Sequence, residues 1–284
     1  MKRSIQIQTT SICNARCKIC PYATSFLAKN KACMDDTVFG KVVFRIKEAN
    51  IEISKLCMYL QNEPLTDPSL FDRINVIKKT FGRIPLELST NCALLDPARA
   101  ETLITCAKDV QFNMHLSFHG TNKKEHEDMM GISYDTALAN IKTYLSLSDR
   151  TSITNRIVSV CVDKKKAQLF WKSIFEELSL TRHPSLRLLE NNNRAGNLSG
   201  EYAYSFVRER APYLTCRRLR NWIHVNWRGE VIICCNDYEN EVILGNLLTT
   251  PLQKIIKDIP KTIDAAIKKY GKSFICNRCD MKAV

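Results

Sequence analysis

Three cysteines fall within eight residues near the start of the chain: Cys13, Cys17 and Cys20, spaced C-x3-C-x2-C. Thiolates are strong metal ligands. Three of them on one short loop can hold three irons of a [4Fe–4S] cube and leave the fourth without a protein ligand. An open metal position is where chemistry can happen, whereas a closed shell passes electrons or supports structure. A zinc ion at this loop would need a fourth ligand, and Cys33 is the local candidate.

A second set lies toward the other end. Cys216 is followed by Cys234 and then by Cys276 and Cys279 in C-x2-C spacing. Four thiolates close a metal shell, either around structural zinc or around a cluster that passes electrons or shapes a pocket. Cys235 adjoins an expected ligand. On a strand its side chain points opposite to that of Cys234, which leaves two roles open: a hydrogen-atom donor facing a pocket, or a small buried apolar residue. Cys33, Cys57, Cys92, Cys106 and Cys161 fall mostly in expected strands and helices, where core packing explains them.

The elements that must position these groups follow an alternating pattern. Short apolar or alternating runs predict strands at 4–10, 55–60, 85–90, 111–118, 155–162 and 186–190. Between them, helical patterns cover 35–49, 69–81, 97–107, 134–148 and 164–178, with Asp36 placed to cap the first and Asp96 before Pro97 starting another. Six strands with intervening helices imply parallel βαβ units and an α/β fold curled into a partial (β/α)6 TIM-like barrel. Residues at the C-terminal strand ends then share one mouth, and the three-cysteine loop follows the first strand. Past residue 191 the rhythm changes. The run from Trp222 to Cys234 predicts a β-hairpin turning at Arg228-Gly229, followed by helices at 251–259 and 261–270. The expected division is a barrel over residues 1–200 and a small auxiliary domain of hairpin and helix over 201–284.

Composition narrows the classes. A chain of 284 residues with 45% hydrophobic and 25% charged content can bury one sizeable core plus an appendage. No apolar stretch approaches a bilayer span, and the start lacks the apolar run of a signal peptide. Thirteen cysteines without a secretory signal point to a reducing, cytoplasmic setting with metal-bound thiolates. The formal charge of +13 would attract phosphates, nucleic acid or an acidic carrier. It is spread along the chain, as at Lys164-Lys165-Lys166, Arg217-Arg218 and Lys268-Lys269, without a basic-aromatic motif, and reads as solvated surface. The non-enzyme rival is a basic zinc-containing nucleic-acid-binding protein, which would carry zinc and bind in a salt-sensitive way.

The first cysteine loop resembles that of the radical S-adenosylmethionine superfamily. The C-terminal set, with the runs Trp227 to Asp237 and Leu244-Gly245-Asn246-Leu247, resembles the auxiliary-cluster domains called SPASM and Twitch. The resemblance implies two [4Fe–4S] clusters, one on Cys13, Cys17 and Cys20 and one on Cys216, Cys234, Cys276 and Cys279. It also implies S-adenosylmethionine as cofactor, cleaved reductively to a 5′-deoxyadenosyl radical that takes a substrate hydrogen atom. A flavodoxin- or ferredoxin-type electron donor follows from the same resemblance.

Gln61-Asn62-Glu63-Pro64 stands where the family has a Gly-Gly-Glu-Pro-like segment on the S-adenosylmethionine amine; Glu63 and Pro64 are kept and both glycines are missing. Ser89-Thr90-Asn91 resembles the family's polar cofactor-facing segment, and Ser117 resembles a ribose contact. The aromatic residue usual before the third cysteine is Ile19 here, so covering the adenine falls to Tyr22. Asn193-Arg194-Ala195-Gly196-Asn197 resembles a loop in which a guanidinium pairs with the cofactor carboxylate or polarises a substrate oxygen, giving Arg194 a catalytic role beside Cys235.

The layout is similar to short Twitch-bearing cyclitol dehydrogenases, which implies oxidation of a polar sugar- or cyclitol-like metabolite with the auxiliary cluster as electron acceptor. The alternative substrate is a ribosomally made peptide, modified by cross-linking or by epimerisation with Cys235 as hydrogen donor.

Overall fold

The computed structural model describes residues 2–160, 163–190, 192–199 and 216–279. Cys161, the end of the expected fifth strand and the expected boundary at residue 200 lie outside them. The chain divides into two compact units. One comprises Met1–Ile12, Ile19–Asn62 and Asn191–Val284, the other Cys13–Lys18 and Glu63–Glu190. The described strands are β1 (Arg3–Ile7), β2 (Ile53–Cys57), β3 (Leu86–Thr90), β4 (Phe112–Ser117), β5 (Thr154–Val160), β6 (Ser185–Leu189), β7 (Trp222–Val225), β8 (Glu230–Ile232) and β9 (Ile243–Asn246).

In the second unit β3, β4, β5 and β6 pair in sequence order, all parallel, so each crossover needs a helix. Those helices start on side-chain caps: Asp96 accepts from Arg99 N–H before Pro97–Cys106, Ser133 from Thr136 N–H before Tyr134–Ser148, and Asp163 from Lys166 N–H before Lys164–Glu177. Helix Tyr134–Ser148 buries Ala137, Ile141, Tyr144, Leu145 and Ser148, one stripe at helical spacing. Phe118, fully buried just past β4, meets Trp171 edge-on at 5.4 Å.

In the first unit β1 lies between β2 and β7 and is parallel to both; Gln6 faces Cys57 on one side and His224 on the other. β7 and β8 form the expected antiparallel hairpin, and β9 adds a further antiparallel strand that the sequence pattern did not announce. Gly245 in β9 is dictated by packing. A Cβ there would lie 2.6 Å from Ile255 of helix Leu252–Tyr270. Both runs of strands are open and mostly parallel, as the α/β expectation required.

Three expectations change in detail, and one helix is added. Asp35, not Asp36, caps helix Asp36–Glu48, because its extended backbone lets the carboxylate accept from Thr37 N–H. β1 stops at Ile7, since Thr9 and Thr10 turn to pair with Met34 and Cys33. The two C-terminal helices are one, Leu252–Tyr270, running through Pro260; Leu252, Ile255, Ile263 and Ala266 form one buried stripe across both halves. Helix Lys123–Met130 is new.

Candidate active site

The cysteine loop of residues 13–18 is tied to the end of helix Lys123–Met130. Arg16 N–H donates to Met130 O at 2.9 Å and Lys18 N–H to Met129 O at 2.8 Å, using carbonyls that the helix cannot satisfy itself. Cys17 Sγ lies 4.0 Å from the Met130 carbonyl. Gly131 ends that helix at φ +65°, and a Cβ on it would come within 3.3 Å of Arg16 Cβ.

In the same unit Glu63 is 2% exposed. It does not end a strand, since β2 stops at Cys57; it caps the turn Pro64–Thr66 by accepting from Leu65 N–H. Its carboxylate also accepts from Thr90 Oγ1 at 2.7 Å and from Asn91 N–H at 2.8 Å. None of these donors is charged. Burial therefore dominates and pushes the Glu63 pKa up to about 7, against the pull of the three hydrogen bonds. Asn91 Nδ2 donates to Asn14 Oδ1 at 2.7 Å, joining the β3 end to the residue after Cys13. Ser89 and Ser117 stand 3.4 Å apart on neighbouring strands. The turn beneath Glu63 is fixed by the buried Asp67–Arg73 pair at 3.1 Å. The structure thus gathers Glu63, Ser89, Asn91 and Ser117 around β3 and β4.

Cys20 belongs to the first unit, where its Sγ is 3.5 Å from the Tyr238 hydroxyl. Tyr22 is buried in the turn Pro21–Thr24, and the buried Ile19 offers its carbonyl to Arg194 Nε at 3.4 Å. Arg194, Ala195 and Gly196 all have left-handed backbone, with φ +50°, +59° and +76°. Two such residues with side chains are a strained pair, held by Asn192 and Asn193 side chains accepting from Arg194 and Gly196 N–H.

Four of the five C-terminal cysteines, Cys216, Cys234, Cys235 and Cys279, lie near one guanidinium. Cys216 precedes helix Arg217–Asn221, and Arg218 of that helix touches Cys235 Sγ. Its charge is reinforced by Cys235, Cys234, Cys216 and Cys279, which hold its pKa above the ordinary arginine value. Burial, then the neighbouring Cys279 and Cys216, pushes the Cys276 thiol up to about 12. Cys234 Sγ accepts from Asn236 N–H at 3.4 Å.

Cys235 departs from expectation. β8 ends at Ile232, so Cys234 and Cys235 lie in a turn and the opposite-face argument does not apply. Instead Cys235 takes a hydrogen bond from Cys234 and faces Arg218, which together bring it down to about 6, while Cys234 is pushed up. Cys33 is exposed, 3.6 Å from Thr10 Oγ1, and is no core residue. Cys57, Cys92 and Cys106 are buried as expected. Arg218 and Tyr238 were missed. Nothing in sequence separates Arg218 from its exposed neighbour Arg217 except its distance from Cys216.

Among the described residues no three His, Cys, Asp or Glu side chains converge on a single metal-ion position.

Residues 7–162 match the radical SAM superfamily, and residues 216–280 match SPASM, an iron–sulfur cluster-binding domain. The chain belongs to the radical SAM superfamily. No curated protein matches it. Among solved structures it is similar to BtrN in complex with AdoMet and 2-DOIA, with 18% identity, TM-score 0.64, and coverage of 99% of this chain and 94% of that one. It is also similar to Streptococcus suis SuiB bound to precursor peptide SuiA, with 13% identity, TM-score 0.68, and coverage of 99% and 71%. A third is native anSMEcpe with bound AdoMet and Cp18Cys peptide, with 18% identity, TM-score 0.59, and coverage of 99% and 91%. At such identities the likeness is one of fold, the open partial (β/α) barrel. Radical SAM and SPASM domains bring iron–sulfur clusters and S-adenosylmethionine to this enzyme. The donor sets fit them. Two sets of cysteines outside any disulfide supply the thiol ligands, and the donors to the buried Glu63 carboxylate are all neutral, which suits the amino group of the cofactor.

Proposed function

We propose that this radical SAM enzyme oxidises a sugar- or cyclitol-like metabolite by removing one hydrogen atom, one proton and one electron, leaving a carbonyl or imine. Cys13, Cys17 and Cys20 would hold the first cluster, and Cys216, Cys234, Cys276 and Cys279 the second. When bound, the first cluster with S-adenosylmethionine supplies the hydrogen-abstracting radical, and the second supplies an acceptor for the electron. Glu63 takes the cofactor's amino group, Asn91 braces the β3 end beside it, and Ser89 and Ser117 face the ribose. Tyr22 covers the adenine and excludes water. Arg194, held by its strained loop, pairs with the cofactor carboxylate or polarises the substrate oxygen.

The observation that carries the reading is the group of cysteines near Arg218, which lies in the same unit as β1 and β7. A second cluster held by such cysteines would give a two-electron outcome its electron acceptor. The division into a barrel over residues 1–200 and an auxiliary domain over 201–284 is part of the proposal, supported by the matches over 7–162 and 216–280. A cytoplasmic setting and a flavodoxin- or ferredoxin-type donor belong to it too. Among the described residues no helix is long and apolar enough to cross a membrane.

The peptide reading gains from neighbours seen with peptides. The Arg218 contact favours the thiolate form of Cys235, which has no hydrogen atom to give, and so weighs against its hydrogen-donor version. The test is the double variant Cys276→Ala/Cys279→Ala, incubated with a panel of sugars, cyclitols and peptides. The reading expects 5′-deoxyadenosine still to form with a ring substrate while the oxidised product is lost. Oxidised product at parental yield would contradict it.

A further inference from the structure

A turn between residues 233 and 242 closes on itself. Ile233 N–H donates to Val242 O at 3.1 Å, and Asp237 N–H donates to Cys234 O at 3.0 Å. The buried Asp237 carboxylate accepts from Glu241 N–H at 2.9 Å and from Val242 N–H at 3.0 Å. From outside the turn, Asn197 Nδ2 donates to Asn236 O at 2.7 Å. Both oxygens of Glu239 accept from Phe26 N–H at 3.2 Å. These bonds fix the backbone on both sides of Tyr238.

Tyr238 is buried, and its hydroxyl lies 3.5 Å from Cys20 Sγ. A buried tyrosine hydroxyl ordinarily finds a hydrogen-bond partner. Here, among the described residues, that partner is a sulfur of the first cysteine loop. A neutral thiol is a weak acceptor, whereas hydrogen bonds to an ionised group are shorter and about twice as strong. A thiolate bound to a metal has no hydrogen to give, so the hydroxyl must be the donor. A phenol keeps its proton at neutral pH and can fill that role. The turn starts at Cys234, so the segment that contributes to the second cysteine set also supplies the hydroxyl beside Cys20.

We infer that Tyr238 donates its hydroxyl hydrogen to the Cys20 sulfur and thereby sets the reduction potential of the cluster held there. The inference rests on the assignment of Cys13, Cys17 and Cys20 to the first cluster, and it does not depend on which substrate is oxidised. Reduction adds negative charge that spreads onto the ligand sulfurs, and the positive end of the O–H dipole stabilises it. Hydrogen bonds to the sulfurs are among the levers that set iron–sulfur potentials. The hydroxyl therefore holds the potential higher than the same thiolates would without it, which eases electron uptake from the donor. Tyr238 acts through Cys20 and is a positioning residue, not a catalytic one.

Tyr238→Phe tests this in the reconstituted holoenzyme, since it removes the hydroxyl and keeps the buried ring. The readout is a redox titration followed by electron paramagnetic resonance. The first cluster is the signal that added S-adenosylmethionine alters, because only a cluster with an open iron can take the cofactor. Its reduction equilibrium is expected to weaken roughly tenfold, a fall in midpoint of about 59 mV for one electron, with the second signal unmoved. Tyr270→Phe removes a hydroxyl that donates to Glu241 O of the same turn at 2.8 Å, and it should leave the midpoint where it is. A midpoint in Tyr238→Phe equal to the parent's would overturn the inference. So would an equal fall in both variants, because the packing of the turn would then be acting and not the hydrogen bond. Loss of the first cluster from Tyr238→Phe would overturn it too, since the hydroxyl would then hold the cluster rather than tune it. Electron–nuclear double resonance of the reduced first cluster in deuterium oxide gives a second readout. One exchangeable deuteron coupling of the parent should be missing from Tyr238→Phe, and identical spectra would contradict the inference. If S-adenosylmethionine alters no signal of the parent, the cluster assignment fails and the inference with it; an altered signal with an unmoved midpoint removes the role of Tyr238 alone.

Discussion

Glu63 carries a carboxylate whose neighbours are all neutral donors, and burial sets its behaviour. Its pKa in the fold, about 7, is above the ordinary value of 4.5. Its contribution to stability is therefore full below about pH 4.5 and lost as the pH rises through about 7, by up to about 3 kcal/mol. Glu63→Gln should raise the urea midpoint of the cofactor-free protein at about pH 8 and leave it unchanged near pH 4. The same variant should bind S-adenosylmethionine at least about tenfold more weakly, and the parent's rise in affinity across neutral pH should vanish. Equal urea midpoints at the higher pH would show that the carboxylate is not held in a desolvated site. The cysteine pair divides at this scale too. Cys234→Ala should lose about four irons and Cys235→Ala should keep about eight; the reverse would make Cys235 the ligand.

Helix Lys123–Met130 is the element that fixes the cysteine loop, through the carbonyls of Met129 and Met130 and the close approach at Gly131. Gly131→Val should lower iron loading of the first cluster while leaving the second intact, read by iron analysis and Mössbauer spectroscopy. Full loading would mean that the loop does not depend on this contact. The turn that presents Glu63 depends on Asp67 and Arg73. Asp67→Ala removes the carboxylate that faces a buried guanidinium and should cost about 3–5 kcal/mol in chemical denaturation. The sequence made the parallel strands and their longer helices legible because each has a clear period and a cap. Helix Lys123–Met130 escaped because its residues are mostly charged, with His126 and Met130 alone buried. β9 is four residues long, and its signal was the glycine that lets Ile255 approach. Arg218 looked like surface charge, since only the folded chain places four sulfurs around it.

At the scale of the whole molecule, the C-terminal strand β7 pairs directly with β1 in one compact unit. A chain ending at residue 200 would lose that partner and bare the β1 edge, so it should aggregate rather than fold as a free barrel, as size-exclusion chromatography would show. The cysteine spacings were fully legible, and they carried the cofactor reading before any fold was known. The buried polar face of β1 was not, because glutamines in a strand look solvent-facing until their burial is seen. The central claim is a radical SAM enzyme with two iron–sulfur clusters, and its most direct test is iron, sulfide and zinc per chain after anaerobic reconstitution. The parent should hold about eight irons and the Cys13/Cys17/Cys20→Ala triple variant about four, with zinc absent from both. Zinc in place of iron, or iron unaffected by the triple substitution, would contradict the account.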